Sequence, residues 1–490
     1  MADRPNILFI MTDQHRGDCI GADPHSPRDE DGRSLVHTPN IDNFIENGAM
    51  FTRAYTPAPS CIPARRSLLT GQTPSTNGAP GWVTTPWEFE HTLPEELRNA
   101  GYQTKLAGKI HSIPIRKHMG FESMDQHEAL FSHPNDDYTR WLETETDGNF
   151  DELSHGLGRN SWDPRPWHAE EYHHPTNWTT RKALEFLDQR DESRPFFLNL
   201  SYVRPHTPFD PPQAYWDMYV DRETPAPYMG DWIDAEHGEK IPDYPAADAW
   251  LADLPPTIVH RARAAYYGLI THIDHQIKRV IDALRLSGDY ENTFVVFCSD
   301  HGEMLGDHHM WRKSYAYEGS SRVPFLLRYP DWMEAPRKRI VGQPVGLEDV
   351  MPTLLSAADV DVPDTVEGRN LFELLEEPER EDWREWYHGE HAPGSYDPEN
   401  GTQYLIGERY KFVWNPVTDS RLLFDLAEDP GEERDLSESA AHADRLERAR
   451  EAMVDRLADR EEGFVEDGRL VPTSAGSEDV GDPDDCSSES

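Results

Sequence analysis

Residues Asn6 to Met11 (Asn-Ile-Leu-Phe-Ile-Met) form a near-continuous apolar run. A run of this kind suits a strand buried on both faces, which occurs where helices cover both sides of a parallel sheet. Phe196 to Leu200 and Thr293 to Cys298 read the same way, and Gln103 to Ala107 is a further strand-like segment. Between them lie helix-like stretches at about 39–47, 92–100, 177–190 and 257–286. The last carries Ile270, Ile273, Ile277, Val280, Ile281 and Leu284 at helical spacing. Strands alternating with helices predict a doubly wound, mostly parallel α/β domain. Ligands of such sheets sit beyond the carboxyl ends of the strands. Three polar segments fall there: Thr12-Asp13-Gln14, Arg204-Pro205-His206 and Ser299-Asp300-His301.

From about Trp386 the pattern changes to short alternating runs at Gln403–Ile406, Tyr410–Trp414 and Leu422–Leu426. The sequence thus predicts an α/β catalytic domain over 1–385 and a smaller antiparallel α+β subdomain over 386–463, with an acidic helix at about 440–460. Residues 464–490 are rich in Asp, Glu, Ser and Gly and predict a structureless tail. The Pro-, Trp- and His-rich stretch 132–175 shows no clear element and reads as a long lid or substrate loop.

Charge narrows the function. Lys and Arg number 47 against 91 Asp and Glu, a net charge of -44, which excludes non-specific nucleic-acid or anionic-membrane binding. Only nine of the basic residues are Lys. Heavy acid with scarce Lys resembles proteins of halophilic organisms, which keep molar salt in the cytoplasm. Self-repulsion is screened there over a Debye length of about 3 Å. No apolar run approaches the roughly 20 residues that cross a bilayer. Met-Ala-Asp-Arg-Pro-Asn leads straight into the first strand without a basic leader or cleavage site. Cys19, Cys61, Cys298 and Cys486 are too few for a disulfide framework. These features predict a soluble cytoplasmic protein with no membrane or nucleic-acid partner, and they leave its oligomeric state open.

Residues 59–71, Pro-Ser-Cys-Ile-Pro-Ala-Arg-Arg-Ser-Leu-Leu-Thr-Gly, carry the most specific signal. Pro63 suits the first turn of a helix and Gly71 its stop. Cys61 then stands at the positive end of a short helix with Arg65 one turn on. Backbone donors and a guanidinium would converge there on a tetrahedral anion. Cys-x-Pro-x-Arg with a trailing Thr-Gly resembles the signature of the type I sulfatases, of the alkaline phosphatase-like superfamily. The resemblance covers about residues 5–430 and includes Phe424-Asp425-Leu426 and Asp429-Pro430-Gly431-Glu432. It implies that Cys61 is oxidised by a formylglycine-generating enzyme to formylglycine (3-oxoalanine), whose hydrated aldehyde is the nucleophile on a small sulfate ester.

A hard divalent ion needs oxygen ligands from several elements. Asp13 and Gln14 offer a carboxylate and an amide carbonyl; Asp300 and His301 add a carboxylate and an imidazole. In type I sulfatases an early and a late acidic pair hold Ca²⁺ against the formylglycine. Asp-Gln and Asp-His depart from the commoner Asp-Asp and Asp-Asn and resemble the choline sulfatase and phosphonate monoester hydrolase branch. An imidazole shifts preference toward Mn²⁺ or Zn²⁺, so the pattern implies Ca²⁺ with those two as alternatives.

Lys109 in Gly-Lys-Ile-His111 and Lys313 in Gly-Asp-His-His-Met-Trp-Arg-Lys resemble two further sulfatase motifs, and His206 lies in a Pro-His-x-Pro motif. The resemblance implies that Arg65 neutralises sulfate charge and that His206 and Lys313 act at the departing alcohol. It makes His111, helped by Lys109, the base that frees sulfate from the second hydroxyl. Two alternatives remain: a phosphonate monoester or phosphodiester hydrolase on the same fold, and a catalytically inactive metal-binding protein. The alcohol of the substrate is not readable from the chain.

A charge of -44 favours expansion unless it is screened. The melting temperature should therefore rise from dilute buffer to molar KCl. A thermal melt that does not move with salt contradicts the halophilic reading.

Overall fold

The computed structural model describes residues 4–128, 135–378, 380, 382–394 and 397–473. Its central sheet has eight strands: β1 (Asn6–Asp13), β2 (Gly48–Phe51), β3 (Gln103–Gly108), β4 (Ser123–Gln126), β5 (Phe196–Pro205), β6 (Thr293–Ser299), β7 (Phe325–Arg328) and β8 (Arg339–Val341). Their spatial order is β8-β2-β7-β6-β1-β5-β3-β4. β1 pairs in parallel with both β5 and β6, placing Met11 beside Ser201 and Thr12 beside Ser299. Only β7 runs antiparallel to its neighbours. The three strand ends expected to carry ligand chemistry are therefore adjacent at the middle of the sheet.

Alternation along each strand builds two cores. Ile7, Phe9, Met11, Phe197, Phe294 and Val296 face one layer, which holds the helices α1 (Cys61–Thr70) and α2 (Leu93–Asn99). Leu8, Ile10, Leu198, Leu200, Val295 and Phe297 face the other. There Ala183 of α3 (Pro175–Gln189) and Ile273, Ile277 and Val280 of α4 (Pro256–Ser287) cover them. Among the described residues no helix is long and apolar enough to cross a membrane.

The second sheet is antiparallel, in the order β9 (Tyr387–His391), β10 (Thr402–Ile406), β11 (Tyr410–Trp414), β12 (Arg421–Asp425). Leu405, Phe412, Trp414 and Leu423 pack on Ala449, Met453 and Leu457 of α5 (Ala443–Leu457). The opposite face, with Tyr404, Ile406 and Phe424, packs on Tyr55, Trp232 and Tyr317 of the larger body. The small sheet is thus a layer of the main core rather than an appendage.

Two expectations need correction. The predicted tail at 464–490 begins with a hairpin, Val465–Glu466 paired to Arg469–Leu470. Phe464 and Leu470 are buried against the α5 side of the small sheet, so the acidic composition hid two anchoring apolar residues. Residues 474–490, Cys486 among them, lie outside the described residues. The stretch 132–175, whose first three residues are likewise outside, also has regular structure. Asp137–Glu145 is a helix capped by the Asp136 carboxylate, which accepts from the Thr139 N–H. Trp162 then packs on Trp311, with ring centroids 5.4 Å apart.

Lys411 on β11 couples the two bodies. Its ammonium is fully buried, 3.0 Å from Glu318 and 2.9 Å from Glu432. Burial, reinforced by Glu318, raises the Glu432 carboxyl to about 7 even though Lys411 opposes it. Lys411→Met would leave these acids without their cation, a loss of roughly 3–5 kcal/mol for a buried pair broken on one side. A melting temperature within 2 °C or so of the wild type would show that the ammonium is dispensable.

Candidate active site

Helix α1 starts where the sequence places it. Ser60 is extended (φ -156°, ψ 156°), Cys61 opens the first turn, and Gly71 closes the helix at φ 67°. Its N-terminus points at the carboxyl ends of β1 and β6, where partial positive charge from unpaired N–H groups favours an anion. Arg65, four residues on, is 2% exposed and spans the two strand ends. Its Nε donates to Asp300 Oδ2 at 2.8 Å and its Nη2 to Asp13 Oδ2 at 3.1 Å. Nη1 donates to the Lys109 carbonyl at 2.7 Å and to Ser201 Oγ at 3.1 Å. One guanidinium therefore joins β1, β3, β5 and β6.

Cys61 Sγ stands at the centre of a ring of polar groups. His301 Nε2 and Lys313 Nζ each lie 3.2 Å from it, and Asp13 Oδ1 and Lys109 Nζ each lie 3.7 Å away. Lys109 Nζ also pairs with Asp13 Oδ2 at 2.6 Å. Burial and Asp13 push the Cys61 thiol up, yet Lys109, Lys313 and His301 together carry it below its ordinary range. Burial likewise opposes the charge on Asp13, and Lys109, Arg65 and Lys313 outweigh it, holding that carboxyl well below the usual carboxylate range.

Asp13, Cys61, Asp300 and His301 offer ligand atoms that all lie within 4.8 Å of one another. The ring of His301 is oriented by Nδ1, which donates to the Gly302 carbonyl at 2.9 Å and leaves Nε2 facing the carboxylates. Two carboxylates and an imidazole nitrogen converging in a fully buried space are a donor set that fits a divalent cation, the imidazole ligating once it has given up its Nε2 proton. Gln14, with a left-handed backbone (φ 67°), turns differently. Its N–H donates to Asp300 Oδ1, its side-chain carbonyl accepts from Lys313 at 3.0 Å, and its amide nitrogen bonds Glu303. Gln14 thus borders the donor set with its carbonyl already engaged.

His206 and Lys313 form a pair at 2.8 Å. His206 Nδ1 donates to the Thr207 carbonyl, so Nε2 accepts from the ammonium. Burial, then Lys313, depresses the His206 pKa well below its ordinary value, and burial also lowers Lys313. His111 is 5% exposed, and neither ring nitrogen has a hydrogen-bond partner among the described residues. Burial and the Lys109 charge keep it neutral, well below the ordinary imidazole pKa.

All ten residues expected at the site, Asp13, Gln14, Cys61, Arg65, Lys109, His111, His206, Asp300, His301 and Lys313, are at least nine-tenths buried. Several supporting residues escaped the sequence reading. Glu128 accepts the N–H groups of Ile110 at 3.1 Å and His111 at 2.8 Å, fixing the loop that carries His111. Ser60, beside Cys61, pairs with His391 Nε2 at 2.9 Å across 331 residues, and Asn400 donates to the Ser314 carbonyl. The small C-terminal sheet therefore braces both loops flanking the site. Nothing in the local sequence marks these contacts. Lys240 ends a single 3₁₀ turn and pairs with Asp397 and Glu399 at the surface.

Lys313→Arg should lower kcat/KM at least about a hundredfold, or roughly 2.7 kcal/mol, because a planar fork cannot replace one compact donor shared by His206, Gln14 and Cys61. The same change at Lys278, whose side chain is 53% exposed, should have little effect. Near-wild-type rates for both variants would reduce Lys313 to a neutral bystander.

Residues 5–360 match the Sulfatase family model, and residues 306–460 match that of the N-sulphoglucosamine sulphohydrolase C-terminal region. An arylsulfatase of Clostridium perfringens is 39% identical over 483 residues, 96% of this chain and 97% of its own. A choline-sulfatase of Rhizobium meliloti is 31% identical over 89% of this chain and 83% of its own. The crystal structure of the phosphonate monoester hydrolase of Agrobacterium radiobacter superposes with a TM-score of 0.78 at 25% identity, covering 93% of this chain and 96% of that one. With its alkaline phosphatase-like sheet and this buried site, the chain belongs to the sulfatase family and is a sulfuric ester hydrolase.

Proposed function

We propose that the chain hydrolyses a small sulfate ester to an alcohol and inorganic sulfate at a nucleophile derived from Cys61. The observation that carries this reading is the position of Cys61 Sγ, 3.2 Å from both Lys313 Nζ and His301 Nε2 at the N-terminus of α1. A formylglycine at this position would supply, as its hydrated aldehyde, the attacking oxygen. A divalent cation held by Asp13, Asp300 and His301, with Gln14 at its edge, would neutralise charge on the sulfate oxygens. Ca²⁺ is the first choice and Mn²⁺ or Zn²⁺ the alternatives that the imidazole favours.

The chain's own groups divide the remaining work. Lys109 and Lys313 orient two sulfate oxygens from either side of Cys61. Lys313 donates toward the oxygen of the departing alcohol, and His206 Nε2, its hydrogen-bond acceptor, keeps that ammonium aimed. His111, neutral and with both nitrogens unengaged, would take the proton of the nucleophile's second hydroxyl, beside Lys109, as the carbonyl re-forms and sulfate leaves. Arg65 holds Asp13 and Asp300 in register and does not need to move.

Maturation then calls for a formylglycine-generating enzyme as partner. We also read the host as halophilic, the location as cytoplasmic, and 1–385 as the catalytic domain braced by the subdomain that follows. The phosphonate monoester hydrolase reading draws support from the Asp-Gln and Asp-His pairs and from the structural likeness at 25% identity. It stands behind the arylsulfatase likeness at 39%.

Protein purified from its native host should carry formylglycine at position 61 by mass spectrometry and should release sulfate from an aryl sulfate at high salt. Active protein with a wholly unmodified thiol would defeat the nucleophile assignment. Asp300→Ala should lose bound metal with the fold retained, and stoichiometric metal in that variant would move the site elsewhere.

A further inference from the structure

Trp82 is the one large aromatic side chain among the described residues recorded against both Lys313 and His111. Lys313 Nζ lies 5.8 Å from the centre of its indole. The His111 ring meets it edge-on at 6.1 Å, with 71° between the planes. Trp82 is only 6% exposed, and its Nε1 has no hydrogen-bond partner among the described residues. Both nitrogens of His111 share that condition. An indole N–H left unpaired in a buried space is costly, about 1–3 kcal/mol, unless a ligand accepts from it. Three such atoms on two touching rings, beside a lysine 3.2 Å from Cys61, mark a place where a ligand completes the bonding.

The wall is also fixed. Ala392 N–H donates to the Pro80 carbonyl at 2.8 Å. A Cβ at Gly81 would stand 3.0 Å from the Ala392 side chain, so the loop is pressed on the small sheet. Trp82 itself belongs to the same packed core as Cys61, Ile110 and Trp87. An indole held this way cannot swing aside at low cost.

Resting on the sulfatase reading, we propose that Trp82 sets the ester specificity of the site. Its indole walls the cradle between His111 and Lys313, admitting a tetrahedral group with one organic substituent and opposing a group with two. A sulfate monoester presents three small oxygens besides its alcohol. A phosphonate monoester or phosphodiester presents a carbon or second alkoxy substituent, which must find room against one of the walls. The indole Nε1–H donates to a sulfate oxygen, a neutral donor suited to a singly charged ester.

The test uses Trp82→Phe and Trp82→Ala in formylglycine-bearing enzyme, with conversion and melting temperature measured for each. The substrates are 4-nitrophenyl sulfate and 4-nitrophenyl phenylphosphonate. Trp82→Phe keeps the bulk and loses the donor, so kcat/KM for the sulfate should fall about tenfold with the sulfate-to-phosphonate ratio kept within threefold. Trp82→Ala opens the wall, so the ratio should shift at least tenfold toward the phosphonate. A folded, fully converted Trp82→Ala whose sulfate-to-phosphonate ratio stays within threefold of wild type would overturn the role of Trp82, whatever its rates, while leaving the sulfatase reading intact. Wild-type enzyme that prefers the phosphonate would instead overturn that reading. If Trp82→Ala does not fold, the sulfate rate of Trp82→Phe decides: a value within twofold of wild type removes the donor.

Discussion

Arg65 is the interaction on which the site depends. Its guanidinium lies between Asp13 and Asp300 with side-chain exposures of 2%, 0% and 0%. Two carboxylates so close and so dry repel each other strongly, and the guanidinium between them offsets that repulsion. The same carboxylates have second oxygens turned toward His301 Nε2, at 3.8 and 3.7 Å. Arg65 therefore neutralises one side of each acid and leaves the other side for a metal. Because the guanidinium is planar and permanently charged, it also sets the spacing of the strand ends, which a flexible ammonium would not do.

This arrangement explains why helix α1 must begin where it does. Arg65 reaches the strand ends only if Cys61 is one turn before it, and Cys61 then occupies the position where backbone dipole, lysines and carboxylates converge. Ser60 does not cap the helix with its own hydroxyl. It engages His391 instead, whose Nδ1 donates to the Ala392 carbonyl at 2.7 Å. The helix end is thereby left open toward the ligand, and its bracing is transferred to the small sheet. Tyr404 adds to that bracing by donating to the Thr56 carbonyl at 2.6 Å.

Much of this was legible because strand ends advertise themselves. A doubly buried strand followed by a polar triplet, as at Ile10–Gln14 or Phe297–His301, gives fold class and ligand position together. The antiparallel placement of β7 was not legible, because Phe325–Arg328 has the same apolar character as its parallel neighbours. The bracing contacts were hidden for another reason. His391 and Asn400 are ordinary polar residues whose partners lie far along the chain, Glu128 reaches back across a loop, and no periodicity records such pairings. Lysine by itself is a partial guide. Lys109 and Lys313 sit at the site, but Lys105 and Lys411 are equally buried and pair with Asp125 and with Glu318 and Glu432. Four of the nine lysines are buried, and only the surrounding motif separates a structural ammonium from one that meets substrate.

An acidic chain that binds an anion faces an electrostatic conflict. A net charge of -44 repels a sulfate ester at long range, whereas Lys109 and Lys313 attract it near Cys61. The two effects differ in reach. Surface charges act through water and fade within about 8 Å at physiological ionic strength, and within about 3 Å in molar salt. The buried cations act across a few ångströms of low-dielectric interior, which ions in solution do not enter. Salt therefore weakens the repulsion and leaves the attraction nearly intact. Burying the whole cradle, which costs desolvation of every charge in it, is what allows so acidic a surface to coexist with an anion site.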